Sequence, residues 1–245
     1  SAATPAPSPA PAPSPAPAPA GDALLGRPWV RPAPPAGHGP VDGLTFLGWS
    51  NDGVRYAFEV SQKGEGAECS GGVSLYVVDA DKDAYPPDGT AVVKHDSPEG
   101  GPDGCTPKDL GPIVARERAE LLARHGIEPG HLTAPRPLSP LGQSGLLAAG
   151  DLRLSFEVLH AAGQDIYGEA AQKGAAYKLV LHPVDGAART LEPGTRRRPY
   201  VLDYALDGNP VFFSPDGRHA AIVVSRVATA FEGTRLTWMT NGTPL

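Results

Sequence analysis

The sequence predicts a mainly β domain built from antiparallel sheets, with one inserted amphipathic helix. Two observations support this prediction: Asp-Gly pairs recur between apolar segments, and most of those segments alternate apolar and polar residues. Asp-Gly tolerates the positive φ angles of tight hairpin turns, and a period of two is typical of half-buried strands. The pairs begin at Asp42, Asp52, Asp88, Asp103, Asp185, Asp207 and Asp216.

Four segments show the alternation, and a fifth is apolar throughout. In each alternating segment the apolar side chains would face one side of a strand. The fifth segment, Ala220–Val224, is continuously apolar, which is typical of a strand buried on both faces. The four stripes are Tyr56, Phe58 and Val60; Val73, Leu75 and Val77; Leu152, Leu154, Phe156 and Val158; and Tyr177, Leu179 and Leu181.

One segment has helical periodicity instead. Residues 113–125 (IVARERAELLARH) lack Gly and Pro, and their apolar and polar side chains separate onto two faces of a helix. Gly126 is the expected stop, and Glu120–Arg124 is an expected i,i+4 ion pair. We expect this helix to pack against a sheet. Residues 128–143 are rich in Pro and Gly and predict an irregular connection.

The N-terminal segment differs in composition from everything that follows. Residues 1–20 consist only of Ala, Pro, Ser and Thr, so they hold no large apolar side chain, and their prolines favour polyproline II. Pro continues to recur up to Pro40. The sequence therefore predicts a disordered Pro/Ala-rich tail over residues 1–40 and a single β-rich domain over residues 41–245.

Charge and hydropathy argue against two classes of protein. The formal net charge is −6, and residues 1–40 contain only Asp22, Arg27 and Arg31, so residues 41–245 carry −7. A nucleic-acid binder would need a basic face. No apolar run reaches the roughly 18 residues that a membrane span requires. We therefore expect neither nucleic-acid binding nor a transmembrane segment.

Two features of the N-terminal segment indicate export to the periplasm or the extracellular space. The chain begins at Ser1 without Met, as it would after signal-peptidase cleavage, although an arbitrary boundary gives the same start. Pro-Ala spacers of this kind also commonly follow export signals. Since position 1 is not Cys, a lipid anchor is not indicated.

Cys69 and Cys105 are the two cysteines of the chain, and both lie in Gly-rich loops. Their spacing matches no zinc pattern and includes no Cys-x-x-Cys. In an oxidising compartment we expect one disulfide between them, which would close a loop of about 36 residues and contribute roughly 3–4 kcal/mol on the chain-entropy account. Two unpaired thiols are the alternative.

Two hairpins are built alike, FLGWSNDGVRYAFEV at 46–60 and VFFSPDGRHAAIVV at 211–224. Each has an aromatic strand before a Ser-x-Asp-Gly turn, and the two resemble the Ser-Pro-Asp-Gly repeats of Tol-type β-propellers. Their Asp residues are 164 positions apart, close to four blades of about 41 residues, but no clear third copy lies between them. The expected fold is therefore either sandwich-like or incomplete propeller-like.

A second resemblance extends over roughly residues 44–240. The segments FLGWSNDGVRYAFE, SLYVVDADKDAY, LLARHGI, RPYVLDYAL and AFEGTRLTWMT follow one another in this order. This order resembles a family of predicted secreted bacterial proteins called domain of unknown function 2259. Thr234 and Arg235 stand where that family usually has Pro-Asp. The resemblance implies export and a β-rich fold, and it implies no activity because the family has none assigned.

Three alternating carboxylates are a candidate calcium site. Asp79, Asp81 and Asp83 follow a predicted strand, and oxygen ligands at positions 1, 3 and 5 of a tight loop suit a hard cation. Ala84 and Thr90 stand where an EF-hand has Gly and Glu, so an EF-hand is excluded. The alternative is a solvated turn in which Asp79 caps the backbone.

Arg196, Arg197 and Arg198 form a dense basic run on an acidic domain. Planar guanidinium groups suit a phosphate or a carboxylate-bearing cell-wall fragment, so this run is a candidate anion site. A solvated loop before a strand is the alternative.

The motifs Gly-x-Ser-x-Gly, His-Glu-x-x-His and Ser-x-x-Lys do not occur in the sequence, and the nearest approach to a nucleophile elbow is Ser144, in the Pro-rich connection. We therefore predict an exported non-enzymatic module that binds an envelope or extracellular component without a cofactor. The alternative is an extracytoplasmic hydrolase whose catalytic residues are scattered along the chain.

Overall fold

The computed structural model describes residues 29–30, 41–62, 71–95, 110–160, 166–230 and 233–245. These residues form antiparallel sheets and two helices, which confirms the predicted mainly β fold. The helices are α1 (Gly111–His125) and α2 (Glu169–Lys173). The strands are β1 (Trp29–Val30), β2 (Gly43–Trp49), β3 (Arg55–Gln62), β4 (Gly71–Asp79), β5 (Thr90–His95), β6 (Arg136–Pro137), β7 (Ser139–Pro140), β8 (Leu147–Ala149), β9 (Leu152–His160), β10 (Ala176–Leu181), β11 (Arg189–Pro193), β12 (Val201–Ala205), β13 (Pro210–Phe213), β14 (His219–Ala230) and β15 (Gly233–Pro244).

The strands of the described residues belong to three antiparallel sheets. The N-terminal sheet has the order β1-β2-β3-β4-β5, and the flanking sheet has the order β11-β10-β9-β8-β7. The central sheet has the order β12-β14-β13-β6, and β15 pairs along the whole length of β14. Strands β12 and β13 pair with different stretches of β14. The β14–β15 hairpin is therefore the longest strand pair of the central sheet, and β14 joins its other strands.

The central sheet lies between the other two sheets, because both faces of β14 are buried. Ala220, Ile222 and Val224 pack in one core with side chains of the flanking sheet. Ala221 and Val223 pack in a second core with side chains of the N-terminal sheet. The prediction that Ala220–Val224 is a strand buried on both faces is therefore confirmed.

The four alternating stripes also face cores. The stripe on β3 packs against the central sheet, and Ala57 between its members faces α1. The stripe on β4 lies under α1. The stripes on β9 and β10 face the central sheet. Period-two patterning thus predicted the buried side of each of these strands correctly.

Helix α1 covers the outer face of the N-terminal sheet, as predicted. Leu121 and Leu122 pack against β4, and the helix ends at Gly126, which has the left-handed φ of 64° that favours glycine. The i,i+4 ion pair differs from the prediction: Arg116 Nε lies 3.9 Å from Glu120 Oε1, one turn before the pair expected.

The predicted amphipathic helix is α1, and the structure adds a second, short helix, α2. It has only five residues, which is too short for a helical period to show in the sequence. Ala171 of α2 packs on Leu202 of β12. No helix in the described ranges is long and apolar enough to cross a membrane.

Asp-Gly is wrong as a hairpin signal at two positions. Asp42 lies at the start of β2, where it is only 3% exposed and lies 3.5 Å from Arg235. Asp207 turns the chain between β12 and β13, which both pair with β14 rather than with each other. The pair at Asp103 lies outside the described residues. Turns between paired strands are confirmed at Asp52, Asp88, Asp185 and Asp216.

The first Ser-x-Asp-Gly turn joins β2 to β3 and is held by its own side chains. Ser50 Oγ donates to Asp52 Oδ1 at 2.6 Å. Arg55 N in turn donates to Ser50 Oγ at 2.9 Å, and Val54 N donates to Asp52 Oδ1 at 3.1 Å. Gly53 has a φ of 70°, a conformation that other residues adopt only with strain.

The second Ser-x-Asp-Gly turn joins β13 to β14 and repeats these hydrogen bonds. Ser214 Oγ donates to Asp216 Oδ1 at 2.6 Å, and His219 N donates to Ser214 Oγ at 2.9 Å. The two turns also touch, because a Cβ added to Gly53 would lie 3.0 Å from Asp216 Oδ1. The similar sequences of the two hairpins therefore correspond to the same turn geometry.

The second turn leads to a prediction for acid stability. Burial acts to raise the pKa of Asp216, but hydrogen bonds from Ser214 and Arg218 outweigh it and lower that pKa from 3.8 to about 2. Such a carboxylate stabilises the fold above pH 3.8 and loses this effect as the pH falls through about 2. We expect Asp216→Asn to be destabilising at neutral pH and nearly neutral at pH 2, as measured by urea unfolding. An equal loss in the free energy of unfolding at both pH values would contradict this prediction.

Two residues of the predicted tail take part in the fold. Trp29 and Val30 form β1 and pair with β2, so strand pairing in the N-terminal sheet begins before the predicted boundary at residue 40. Cys69 and Cys105 lie outside the described residues, and their disulfide stays a prediction.

Candidate functional site

Polar side chains from all three layers meet beside β15, and we call Asp83, Tyr177 and Asn241 the three-sheet junction. Tyr177 of the flanking sheet donates its hydroxyl proton to Asn241 Oδ1 at 2.6 Å. Asn241 of the central sheet donates from Nδ2 to Asp83 Oδ2 at 2.7 Å. Asp83 follows β4 of the N-terminal sheet and also accepts from Gly242 N at 2.6 Å. One amide side chain therefore links the three layers.

Burial changes the protonation of two groups in the junction. It raises the pKa of Tyr177 above its usual range, although the nearby charge of Arg198 acts in the opposite direction. Tyr177 is therefore a phenol, and thus a donor, at any ordinary pH. Burial also raises the pKa of Asp83, against the effect of its hydrogen bonds from Asn241 and Gly242.

Removal of the linking amide is expected to destabilise the protein. Asn241→Leu would take away the oxygen acceptor of the completely buried Tyr177 hydroxyl, which otherwise lies 4.0 Å from the weak acceptor Met239 Sδ, and one donor to Asp83. We therefore expect a loss of about 2–4 kcal/mol in the free energy of unfolding. Urea unfolding measures this loss. The control is Asn51→Leu, because Asn51 is exposed and its amide donates to the exposed carboxylate of Glu128, so this change should alter stability by less than about 0.5 kcal/mol. Equal effects of the two changes would contradict the role of Asn241.

Arg198 borders the junction and differs from the other members of the predicted arginine run. Its side chain is only 16% exposed, and its Nη2 lies 3.1 Å from Glu192 Oε2. Its guanidinium group lies over the rings of Tyr177 and Tyr204, 5.3 and 5.8 Å from their centroids. Cation–π contacts and a part-buried ion pair thus hold this side chain in place. Arg198 is an anchor, whereas Arg196 and Arg197 are exposed.

The backbone of residues 196–200, which we call the arginine loop, is fixed to three elements. Arg198 N donates to the carbonyl that precedes β10 at 3.0 Å, and Tyr200 N donates to a carbonyl of α2 at 2.8 Å. Tyr200 O accepts a hydrogen bond of 2.9 Å from β14. Gly174 lies so close beneath the loop that a Cβ there would overlap the carbonyl of Arg198. The arginine loop is therefore anchored over residues 198–200.

Tyr200 is an exposed aromatic residue with an uncommon backbone conformation. Its φ is 62° and its side chain is 54% exposed. A bulky residue at positive φ is unusual, and such strain is common at functional sites. Tyr167 is also 57% exposed, and its hydroxyl donates to Ala230 O at 2.7 Å on the tip of β14. Since Tyr200 bonds to the adjacent Thr229, both tyrosines lie at the same end of the central sheet.

The exposed side chains of Arg196 and Arg197 have the chemistry that the predicted anion site requires. Two exposed guanidinium groups supply several N–H donors each, in the planar arrangement that matches phosphate and carboxylate oxygens. Tyr200, on the same loop, adds an exposed amphipathic ring. Of the predicted run, Arg196 and Arg197 are therefore the exposed members, and Arg198 holds the loop.

The three carboxylates of the candidate calcium site have three different partners. Asp79 Oδ1 accepts from Lys82 N at 3.2 Å, the contact that the turn interpretation expects. Asp81 Oδ1 lies 3.0 Å from His219 Nε2, and Asp83 belongs to the three-sheet junction. Among the described residues, no group of three His, Cys, Asp or Glu side chains could hold a metal ion.

A Ser–His pair is present on the flanking sheet. Ser155 Oγ and His182 Nε2 lie 2.9 Å apart, both half-buried. The other histidine of these two strands, His160, is not part of this pair. His160 and His182 lie at opposite ends of the β9–β10 pair and are therefore far apart. Ser144 lies in an exposed turn between β7 and β8, where its Oγ donates to Leu141 O, and not between a strand and a helix.

Comparison of the chain with protein-family models, with curated proteins and with solved structures finds no match. The resemblances to domain of unknown function 2259 and to Tol-type repeats therefore stay predictions.

The three-sheet junction was not predicted from the sequence. Asp83 and Asn241 are 158 positions apart, and the carboxylate pattern that singled out Asp83 pointed to calcium rather than to Asn241. The available signal was a polar residue at an inward-facing position of a strand, because such a residue needs a buried partner.

Proposed function

We propose that this protein is an exported, non-enzymatic module that binds an anionic component of the cell envelope through the arginine loop. The observation that supports this most is that hydrogen bonds anchor the loop at Arg198 and Tyr200, while the side chains of Arg196, Arg197 and Tyr200 are exposed. A loop that is already ordered loses little conformational entropy on binding. Arg and Tyr are also the residue types most often found at the centre of binding surfaces.

The charge of the protein favours a local rather than a general attraction. The chain as a whole carries −6, so it repels polyanions except where basic side chains cluster. Arg196 and Arg197 form such a cluster. An anionic group of limited size, such as a phosphate or a carboxylate on a wall fragment, fits this arrangement better than a long polyanion does.

Three features of the sequence support export. They are the Pro/Ala-rich segment, the two cysteines in Gly-rich loops, and the resemblance to a predicted secreted family. Fractionation of cells should recover the chain outside the cytoplasm, with Cys69 and Cys105 protected from alkylation until a reductant is added. Recovery in the cytoplasm with two free thiols would argue against export.

Photo-crosslinking in intact cells tests the binding proposal. A photoreactive benzoylphenylalanine in place of Tyr200 should trap a specific envelope component, and the same group in place of Val184, which is 73% exposed, should not. The double change Arg196→Glu with Arg197→Glu should abolish the adduct. The charge-matched control Arg124→Glu with Lys94→Glu, also at exposed positions, should leave it unchanged.

Two results would overturn the proposal. One is the same set of adducts from positions 200 and 184. The other is an adduct at position 200 that persists in the Arg196/Arg197 double variant.

The hydrolase alternative has one observation in its favour, the contact between Ser155 and His182. A working pair also needs a group that orients the histidine and donors for an oxyanion, and no described residue is hydrogen-bonded to His182 Nδ1. A fluorophosphonate reagent distinguishes the two functions. Labelling that disappears in Ser155→Ala would favour the hydrolase, and an unlabelled protein is the result that we expect.

A further inference from the structure

The outer edge of strand β5 carries backbone groups that are hydrogen-bonded to no described residue. Strand β5 lies at the end of the N-terminal sheet and pairs with β4 alone. Successive residues of an antiparallel strand point their N–H and C=O groups alternately to its two sides. Gly89 O accepts from Val77 N of β4 at 2.7 Å, so every second residue from Gly89 onwards points to β4. The residues between them, whose groups point outward, are Thr90, Val92 and Lys94.

The other edges of the described sheets are short, interrupted by proline or already occupied. Strand β1 has only two residues, and β6, β7 and β11 each contain a proline, which breaks the row of donors. The edges of β12 and β15 are hydrogen-bonded to other segments, at Val201, Leu236 and Gly242. Strand β5 differs from them, because its six residues pair in regular register and include neither Pro nor Gly. It is therefore an edge to which a further strand can be added.

The side chains of β5 differ between its two faces. Ala91 packs in the core beneath α1, and Val93 is buried as well. Val92, which lies between them, points to the opposite face of the sheet and is 54% exposed. A strand added beside β5 would thus gain a cross-strand apolar contact with Val92 in addition to backbone hydrogen bonds.

Opposite charges at the two ends of β5 favour an antiparallel second copy as the added strand. Exposed Asp88 lies just before β5, and exposed Lys94 lies near its end. In an antiparallel pair related by a two-fold axis near Val92, the Lys94 end of each strand meets the Asp88 end of the other. A parallel pair would place like charges side by side, which is unfavourable. Two-fold dimers are also the commonest symmetric oligomers of soluble proteins.

We propose that two copies of this chain form a two-fold dimer by antiparallel pairing of their β5 strands. The two N-terminal sheets then continue across the interface as one sheet, in which Thr90, Val92 and Lys94 exchange backbone hydrogen bonds with the second copy. The side chain of Val92 packs against the second copy at the centre of this interface. The interface uses no residue of the arginine loop, so it does not depend on the proposed binding function.

Sedimentation velocity of the whole chain tests the dimer. A reductant is present throughout, so that disulfides of Cys69 or Cys105 cannot link two chains. We expect a reversible equilibrium between monomer and dimer. Because a single strand pair is a small interface, its dissociation constant should be on the order of 10–100 μM.

Val92→Pro distinguishes pairing through β5 from other contacts. The Val92 N–H points away from β4, so proline there removes an outward donor without breaking a hydrogen bond to β4. Val92→Pro should raise the dissociation constant at least about tenfold, whereas Val92→Thr, which keeps the donor, should change it less than about threefold. Lys94→Glu should also weaken the dimer, and the same charge change at exposed Lys178 should not. Circular dichroism checks that each variant is folded.

Hydrogen exchange followed by NMR locates the interface within β5. The amides of Thr90, Val92 and Lys94 should exchange rapidly in dilute protein and more slowly as the protein concentration rises. The amides of Ala91 and Val93 point to β4 and should exchange slowly at every concentration. Slow exchange of the three outward amides in the monomer would mean that another part of the chain covers this edge, and it would overturn the proposal.

Three other results would also overturn the proposal. One is a chain that stays monomeric at millimolar concentration. Another is a dimer that is as tight in Val92→Pro and Lys94→Glu as in the unchanged chain. The third is a dimer that is lost in the double variant Arg196→Glu with Arg197→Glu, because the two copies would then meet through the arginine loop.

Discussion

Phe212→Ala is expected to lower the free energy of unfolding by about 3–5 kcal/mol, the usual range for removal of a buried Phe. Phe212 lies on β13 and is completely buried. Its ring stacks on that of Phe46, with centroids 4.0 Å apart and planes within 8°, and so joins the central sheet to the N-terminal sheet. Ala would leave a cavity between two sheets that cannot collapse independently, because the β14–β15 hairpin holds the central sheet in place.

The neighbouring phenylalanine provides the control for this prediction. Phe213 points to the other face of β13, where it is only partly buried and lies beneath the guanidinium group of Arg136. We expect Phe213→Ala to cost about 1–2 kcal/mol. Guanidinium unfolding of both variants, followed by circular dichroism, gives the comparison. A larger loss of stability in Phe213→Ala than in Phe212→Ala would contradict the importance of the contact between Phe212 and Phe46 for the stability of the fold.

Gly174→Ala is expected to destabilise the protein by about 3–5 kcal/mol, from backbone strain and overpacking together. Gly174 has φ 73° and ψ 176°, a region that essentially only glycine occupies. A Cβ there would also overlap the backbone of Arg198, which has no flexible end that could move aside. The arginine loop would have to shift, so the photo-crosslink at position 200 should fall along with stability.

A second glycine separates strain from steric overlap. Gly208 has the same φ of 73°, but a Cβ there would meet nothing within 4 Å. Gly208→Ala should therefore cost only about 1–2 kcal/mol, and it should leave the crosslink unchanged. Thermal melts and crosslinking yields of the two variants test both points. Equal costs at the two glycines would contradict the tight packing beneath the arginine loop.

Local patterns predicted the strands because the alternation of apolar and polar residues over a few positions is enough to indicate a half-buried strand. The stripe Leu152, Leu154, Phe156 and Val158 requires only that one face of β9 meets a core. Local patterns failed where the partner of a strand is distant in sequence. Asp207 lies in a turn, yet β12 and β13 both pair with β14, and no local sequence distinguishes this arrangement from a hairpin.

The candidate site was predicted only in part. The run of three arginines is visible in the sequence, but the division between exposed Arg196 and Arg197 and anchored Arg198 depends on Glu192, Tyr177 and Tyr204. Tyr177 comes from another strand, and the fit of Gly174 beneath the loop is likewise a tertiary contact. Sequence patterns report which residue types are present and cannot report which of them become partners across layers.

The position of the central sheet has a consequence for how the chain reaches its native state. Most of the layer that separates the other two follows them in the sequence, because β12–β15 occupy residues 201–244, whereas the short strand β6 comes earlier. Until those residues emerge, the inner faces of the N-terminal and flanking sheets have nothing to pack against. Folding must therefore bring together parts of the chain that are distant in sequence, which makes folding slow and exposes partly folded intermediates to aggregation.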